Sequence, residues 1–125
     1  MALNEYVGAV VLEVDGMEVE CVSYSAKENT GMLPVKTMNR ARRIAGYCVG
    51  VRTFELSVTV PIPVNGSEID WSSMTGAKLV IYPISGNGRR VAYTDCFTQD
   101  VSDAYESEGE AKRDLTLIAV DRKEE

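Results

Sequence analysis

The sequence contains no histidine. That absence removes Ser-His and Cys-His nucleophilic catalysis, histidine-ligated metal centres and the commonest general base near neutral pH. Cysteine is scarce too. Cys21, Cys48 and Cys96 are an odd set without CxxC spacing, so neither a disulfide framework nor a zinc site is expected, and three reduced, mostly buried thiols fit a cytosolic product. The opening MALNEYVGAV has no basic region and no long apolar stretch, and nowhere do about 18 apolar residues run uninterrupted, so neither a signal peptide nor a membrane-spanning helix is expected. Ser85-Gly86-Asn87-Gly88 lacks the Gly-Lys-Ser/Thr ending of a phosphate loop. Asp100, Asp103, Glu106, Glu108 and Glu110 lack the ligand spacing of an EF-hand and read as a solvated or charge-paired loop. No catalytic residue, metal ligand or cofactor site is therefore assigned, and no enzymatic activity is expected.

What the chain does have is enough apolar residues for one core. At 125 residues and 45% hydrophobic content it fits a single domain spanning 1–125, which can bury roughly two-thirds of its unfolded surface. Its charge is unevenly placed. Lys36, Arg40, Arg42, Arg43 and Arg52 lie in a window, residues 29–54, that holds no Asp or Glu and so carries +5. The rest holds eight basic and nineteen acidic residues, a charge of −11, and the two sum to the net −6.

Strand periodicity dominates. From Thr53 to Ile62, Phe54, Leu56, Val58, Val60 and Ile62 share one face, and Thr53, Glu55, Ser57 and Thr59 the other, as in a half-buried strand. Val10–Val14 and Glu18–Tyr24 flank Asp15-Gly16, a pair suited to the positive φ angles of a tight hairpin. A second hairpin is predicted from Leu79–Tyr82 through a Gly86–Gly88 turn to Val91–Phe97, and a last strand over Asp114–Val120. Asn65-Gly66-Ser67 matches a glycosylation sequon but reads as a turn. Ser67, three residues before Asp70, predicts the cap of one short helix over 69–74, stopped by Gly76. The fold class is thus mainly β, a β-sandwich or barrel-like domain with one short flanking helix.

Residues 26–50 join two strands with far more chain than a hairpin needs, and loops of that length usually carry function. One reading of RARR within it is phosphate binding in a nucleic-acid-binding β module. The acidic remainder, an aromatic neighbourhood limited to Tyr47 and the lack of a helix-turn-helix or RNA-binding motif favour carboxylate partners instead. A basic loop on an acidic body is the charge layout of a self-associating module, whose heterologous contacts build rings or filaments.

The order of Val14-Asp15-Gly16, Ser23-Tyr24-Ser25, the long segment with Val35-Lys36-Thr37-Met38 and Arg43-Ile44-Ala45-Gly46-Tyr47, Pro61-Ile62-Pro63 and a Trp-bearing helix resembles bacteriophage tail tube proteins over nearly the whole chain. The resemblance implies hexameric rings, closed by sheet pairing between subunits and stacked into a tube that carries DNA to the host without binding it specifically. Tail terminators and connectors are the other ring-forming class of phage protein it implies. It further implies tape-measure, baseplate or initiator and terminator partners, no membrane partner, a place in the virion tail and assembly in the bacterial host cytoplasm. Lys36, Arg40, Arg42, Arg43, Tyr47 and Arg52 fall where that family reaches a neighbouring ring. Glu18 and Glu20, on one face of a predicted strand, and Glu55 are the candidate acids of the channel wall, where negative charge would repel phosphates.

Overall fold

The computed structural model describes residues 3–66, 68–84 and 89–124. Among these residues are ten β-strands: β1 (Val10–Val14), β2 (Met17–Val19), β3 (Ser23–Asn29), β4 (Met32–Val35), β5 (Gly46–Val49), β6 (Thr53–Pro61), β7 (Ala77–Pro83), β8 (Val91–Ala104), β9 (Lys112–Ala119) and β10 (Asp121–Glu124). The expected short helix is a single 3-10 turn, Trp71–Ser73, whose burial of Trp71 needs only one turn. The predicted Ser67 cap and the Gly86–Gly88 turn lie outside the described residues.

All pairing is antiparallel. Asp15 (φ 51°) and Gly16 (φ 83°) turn β1 into β2 as their residue types predict, and Asp15 also accepts the Lys78 amide at 2.9 Å, which fastens this turn to β7. The predicted strand Glu18–Tyr24 breaks in two at residues 20–22: β2 pairs with β1, whereas β3 pairs with β6. β8 is longer than its apolar pattern suggests, because residues 99–104 are exposed and give no burial signal.

β8 and its partner organise the whole molecule. Val91–Cys96 of β8 meets β7, while Phe97–Ala104 lies against β9. Phe97 opposes Ile118 and Thr94 opposes Asp121 in one register, so β9 and β10 are a single strand interrupted at Val120. Opposite that interruption Asp95 adopts φ 54°, which bends β8. The bend divides the strands into a sheet of β2-β1-β7-β8-β10 and a second of β8-β9-β6-β3.

The two sheets turn their alternating apolar faces to one core. Leu12, Val14, Leu79 and Tyr93 come from the first, and Phe54, Leu56, Val58, Leu115 and Leu117 from the second, with the Phe54 and Tyr93 rings edge to face at 6.1 Å. Leu56, Leu79 and Leu117 have no exposed surface. Each such leucine stabilises the fold by about 1.5–3 kcal/mol relative to exposure. The face of β6 read from the sequence, Phe54 to Val60, is buried as expected. Of the thiols, Cys96 is buried but Cys21 is half-buried and Cys48 exposed, contrary to the expectation that most would be interior.

Candidate assembly surfaces

Residues 26–50 form a β-arm rather than an irregular loop. β3 runs on to Asn29, and β4 and β5 then pair only with each other, Met32 opposite Val49 and Val35 opposite Gly46. Two glycines make the base. Gly31 has φ +81° and receives a hydrogen bond from the Gly50 amide at 2.7 Å on its carbonyl, and its own amide donates to Asn29 Oδ1 at 2.9 Å. A Cβ on Gly31 would lie 2.5 Å from the Val51 carbonyl oxygen. No larger residue fits there.

The tip, residues 36–45, is held by Asn39. Its Oδ1 accepts from the Arg43 amide at 3.2 Å and its Nδ2 donates to the Arg43 carbonyl at 2.8 Å, while Arg42 takes φ 57° between them. Lys36, Arg40, Arg42 and Arg43 are all exposed there, and among the described residues none forms an ion pair. Arg52, beyond the base, pairs with Glu28 at 3.8 Å in solvent, so the structure separates it from the tip. Every residue of β4 and β5 is exposed, including Met32, Leu33, Tyr47 and Val49. A two-stranded ribbon whose apolar side chains are all exposed is marginal in water.

The outer face of the second sheet is mostly polar, with Ile118 and Phe97 as apolar members of the row that holds Glu55. Ser25, Ser57 and Thr116 lie side by side across β3, β6 and β9, as do Ser23, Thr59 and Asp114, with Thr59 Oγ1 donating to Asp114 at 2.7 Å. Glu55 lies on this face beside Lys27. Asp100 and Ser102 extend it into β8, because a bulge after Thr98 flips the side-chain parity of the strand. Asp114 lies in the strand that the sequence predicts, and its alternation with Leu115 and Leu117 is the signal that puts it on the same face as Glu55. Asp100 had no such signal, because the bulge is invisible in the sequence. Both edges of this sheet are open among the described residues: β3 has β6 on one side only, and Gln99–Ala104 of β8 has β9 on one side only.

Glu18 and Glu20 are elsewhere. β2 ends at Val19, so Glu20 has left the strand, and both acids border a cleft of about 650 Å³ between β2, the end of β6 and the Trp71 turn. Val19, Val60, Ile62, Ile69 and Trp71 supply its apolar wall. Glu68, the third acid there, is held by Arg113, which also bonds Asp103 at 2.8 Å. That hydrogen bond to Asp103, opposed by desolvation and helped by the charge of Glu68, raises the Arg113 pKa. Glu18 and Glu20 form no ion pair among the described residues, and Glu18 directly opposes Glu13 across the β1–β2 pair, an unfavourable like-charge contact.

No family profile matches the sequence, and a search of curated proteins finds no significant relative. Solved structures do match in shape. A sheath/tube terminator of the extracellular contractile injection system PVC superposes with a TM-score of 0.74 at 12% identity, covering 99% of both chains. The tube terminating cap of the anti-feeding prophage gives 0.70 at 12% identity, over 100% of this chain and 94% of its own. A chain in the tail of a gene transfer agent particle with C6 symmetry gives 0.61 at 13% identity, over 93% and 92%. Two of these neighbours terminate tubes and the third belongs to a tail. The two bent sheets and the projecting arm thus share the fold of these tube terminator and tail chains.

Proposed function

We propose that this protein is the repeating subunit of a phage-type tail tube. Six copies close into a ring, and rings stack into a hollow tube that conducts DNA without holding it. The observation that carries this reading is the second sheet, which has a mostly polar outer face and two open edges on opposite sides. Pairing β3 of one copy with the outer half of β8 in the next satisfies both rows of free backbone groups and turns the four-stranded sheets into one barrel wall. The C6 symmetry of the gene transfer agent tail supports the ring size.

Closed in this way, the barrel lines its bore with Glu55, Asp100 and Asp114, with Lys27 as a partial counterweight. Carboxylates repel the phosphate backbone, whereas a basic bore would retain DNA through counterion release. Glu18 and Glu20, set beside the cleft, take no part in this wall. Tape-measure protein would fill the tube before ejection, a baseplate or initiator complex would start it and a terminator would close it. The assembled protein belongs to the virion tail, built in the bacterial host cytoplasm.

A second reading is that this chain is itself a terminator ring, favoured by its near-complete overlap with the PVC terminator. Negative-stain electron microscopy of the concentrated protein distinguishes the two. Long hollow tubes with sixfold end views are expected for the tube subunit, and single rings that never stack would support the terminator. Persistent monomers that bind DNA at low salt would refute both and favour a nucleic-acid-binding module.

A further inference from the structure

The arm and the acidic cleft stand at opposite ends of the same strand. The arm leaves the body where β3 ends and β6 begins, and the cleft is bounded by Val60 and Pro61 at the far end of β6. Nine residues of strand separate them, about 26 Å. The tip carries four cations without partners among the described residues, together with Met38 and Ile44, both exposed. The cleft offers what the tip lacks: carboxylates of Glu18 and Glu20, also without ion-pair partners there, above an apolar floor of Ile62, Ile69 and Trp71. The Trp71 indole N–H finds no acceptor among the described residues.

We infer that the cleft is the receptor for the arm tip of a second copy of this chain. The inference rests on the tube reading above and names the surface that the arm engages. Guanidinium groups of Arg40, Arg42 and Arg43 pair with Glu18 and Glu20, and Met38 and Ile44 cover the apolar floor. Pairing removes the like-charge repulsion between Glu13 and Glu18 and fixes register, because a guanidinium fork meets a carboxylate in a defined geometry. Since donor and receptor lie at opposite ends, each docked copy presents a fresh cleft or arm to the next. The contact is heterologous and repeats without limit along one axis.

The test is reciprocal charge reversal, read by negative-stain microscopy and sedimentation. Native protein is expected to form tubes, and E18R/E20R to form rings that do not stack. Combining E18R/E20R with R40E/R42E/R43E in one chain is expected to restore stacking. Tubes from E18R/E20R alone, or failure of the combined variant to recover them, would overturn the inference while leaving ring formation intact. Absence of any ring or tube from the native chain would instead overturn the tube reading itself. If thermal melting shows E18R/E20R to be unfolded, E18Q/E20Q replaces it, with loss of stacking again expected and normal tubes again refuting.

Discussion

Replacing Gly31 by alanine should detach the arm from the body without unfolding the body. The cost has two parts. An L-residue held at φ +81° loses roughly 1–2 kcal/mol, and the new Cβ would lie 2.5 Å from the Val51 carbonyl oxygen and 2.9 Å from the Gly50 carbonyl carbon, both backbone atoms that cannot swing away. The molecule can escape that cost by letting β4 and β5 separate, since a lone two-stranded ribbon has little stability to lose. Global stability should therefore fall by less than about 1 kcal/mol, the ceiling being set by local opening of the arm. Urea unfolding followed by Trp71 fluorescence measures the first quantity, and native-state hydrogen exchange the second. The Ala45 amide, bonded to the Val35 carbonyl at 2.9 Å, and the Gly50 amide, bonded to Gly31, should lose protection while β6 and β9 keep theirs. A global loss above about 2 kcal/mol would show that the arm is integral to the body. Unchanged protection at Ala45 and Gly50 would show that the base tolerates a side chain.

Other consequences are more direct. R40E/R42E/R43E should leave the stability of the monomer in urea unfolding nearly unchanged, within about 0.5 kcal/mol, while abolishing tubes in micrographs. Leu117→Ala, at a position with no exposed surface, should cost about 2–5 kcal/mol in urea unfolding. Burial, the dominant cause, pushes the Cys96 thiol from 9.0 up to about 11, and burial raises the Tyr24 hydroxyl too. The folded state then keeps protons that the unfolded chain releases, so this contribution is intact below about pH 9 and is lost as pH rises from there towards 11. The melting temperature should decline across that range, less steeply in Cys96→Ala, and iodoacetamide at mildly alkaline pH should label Cys48 and spare Cys96.

The body was readable from the sequence because its strands are half-buried. Phe54 to Val60 alternate strictly, and Asp15-Gly16 allows little but a tight hairpin, so local pattern and tertiary structure agree there. The arm was not readable in the same way. Met32 to Val35 and Gly46 to Val49 show no inside and outside because every one of these residues is exposed, and burial is what imprints alternation. The basic cluster still pointed to the tip, since charge asymmetry survives without periodicity. The sequence puts Glu18 and Glu20 on one face of a strand, but their surroundings are set by β2 ending at Val19 and by the distant Trp71 turn. Only the three-dimensional closure of the chain brings those elements together.

The open edge at β3 makes a demand that can be tested at single residues. Along a strand, consecutive amides point alternately to the two neighbouring sides, so of Ser25 and Ala26 one donates towards β6 and the other towards the free edge. Proline removes the amide in either case. Where the lost donor faced β6, the monomer forfeits a ladder bond and leaves a carbonyl unpaired, and should be destabilised by about 1–3 kcal/mol. Where it faced the edge, the monomer should tolerate the change, because edge strands accept proline on their outer side. That tolerated variant presents a broken row of donors to the next copy, and its rings should fail to close although the protein melts at the native temperature. The pair of substitutions thus separates folding from assembly on adjacent residues. If the variant that stays folded still forms sixfold rings, β3 is not the seam between subunits, and the barrel must close along another edge or not at all.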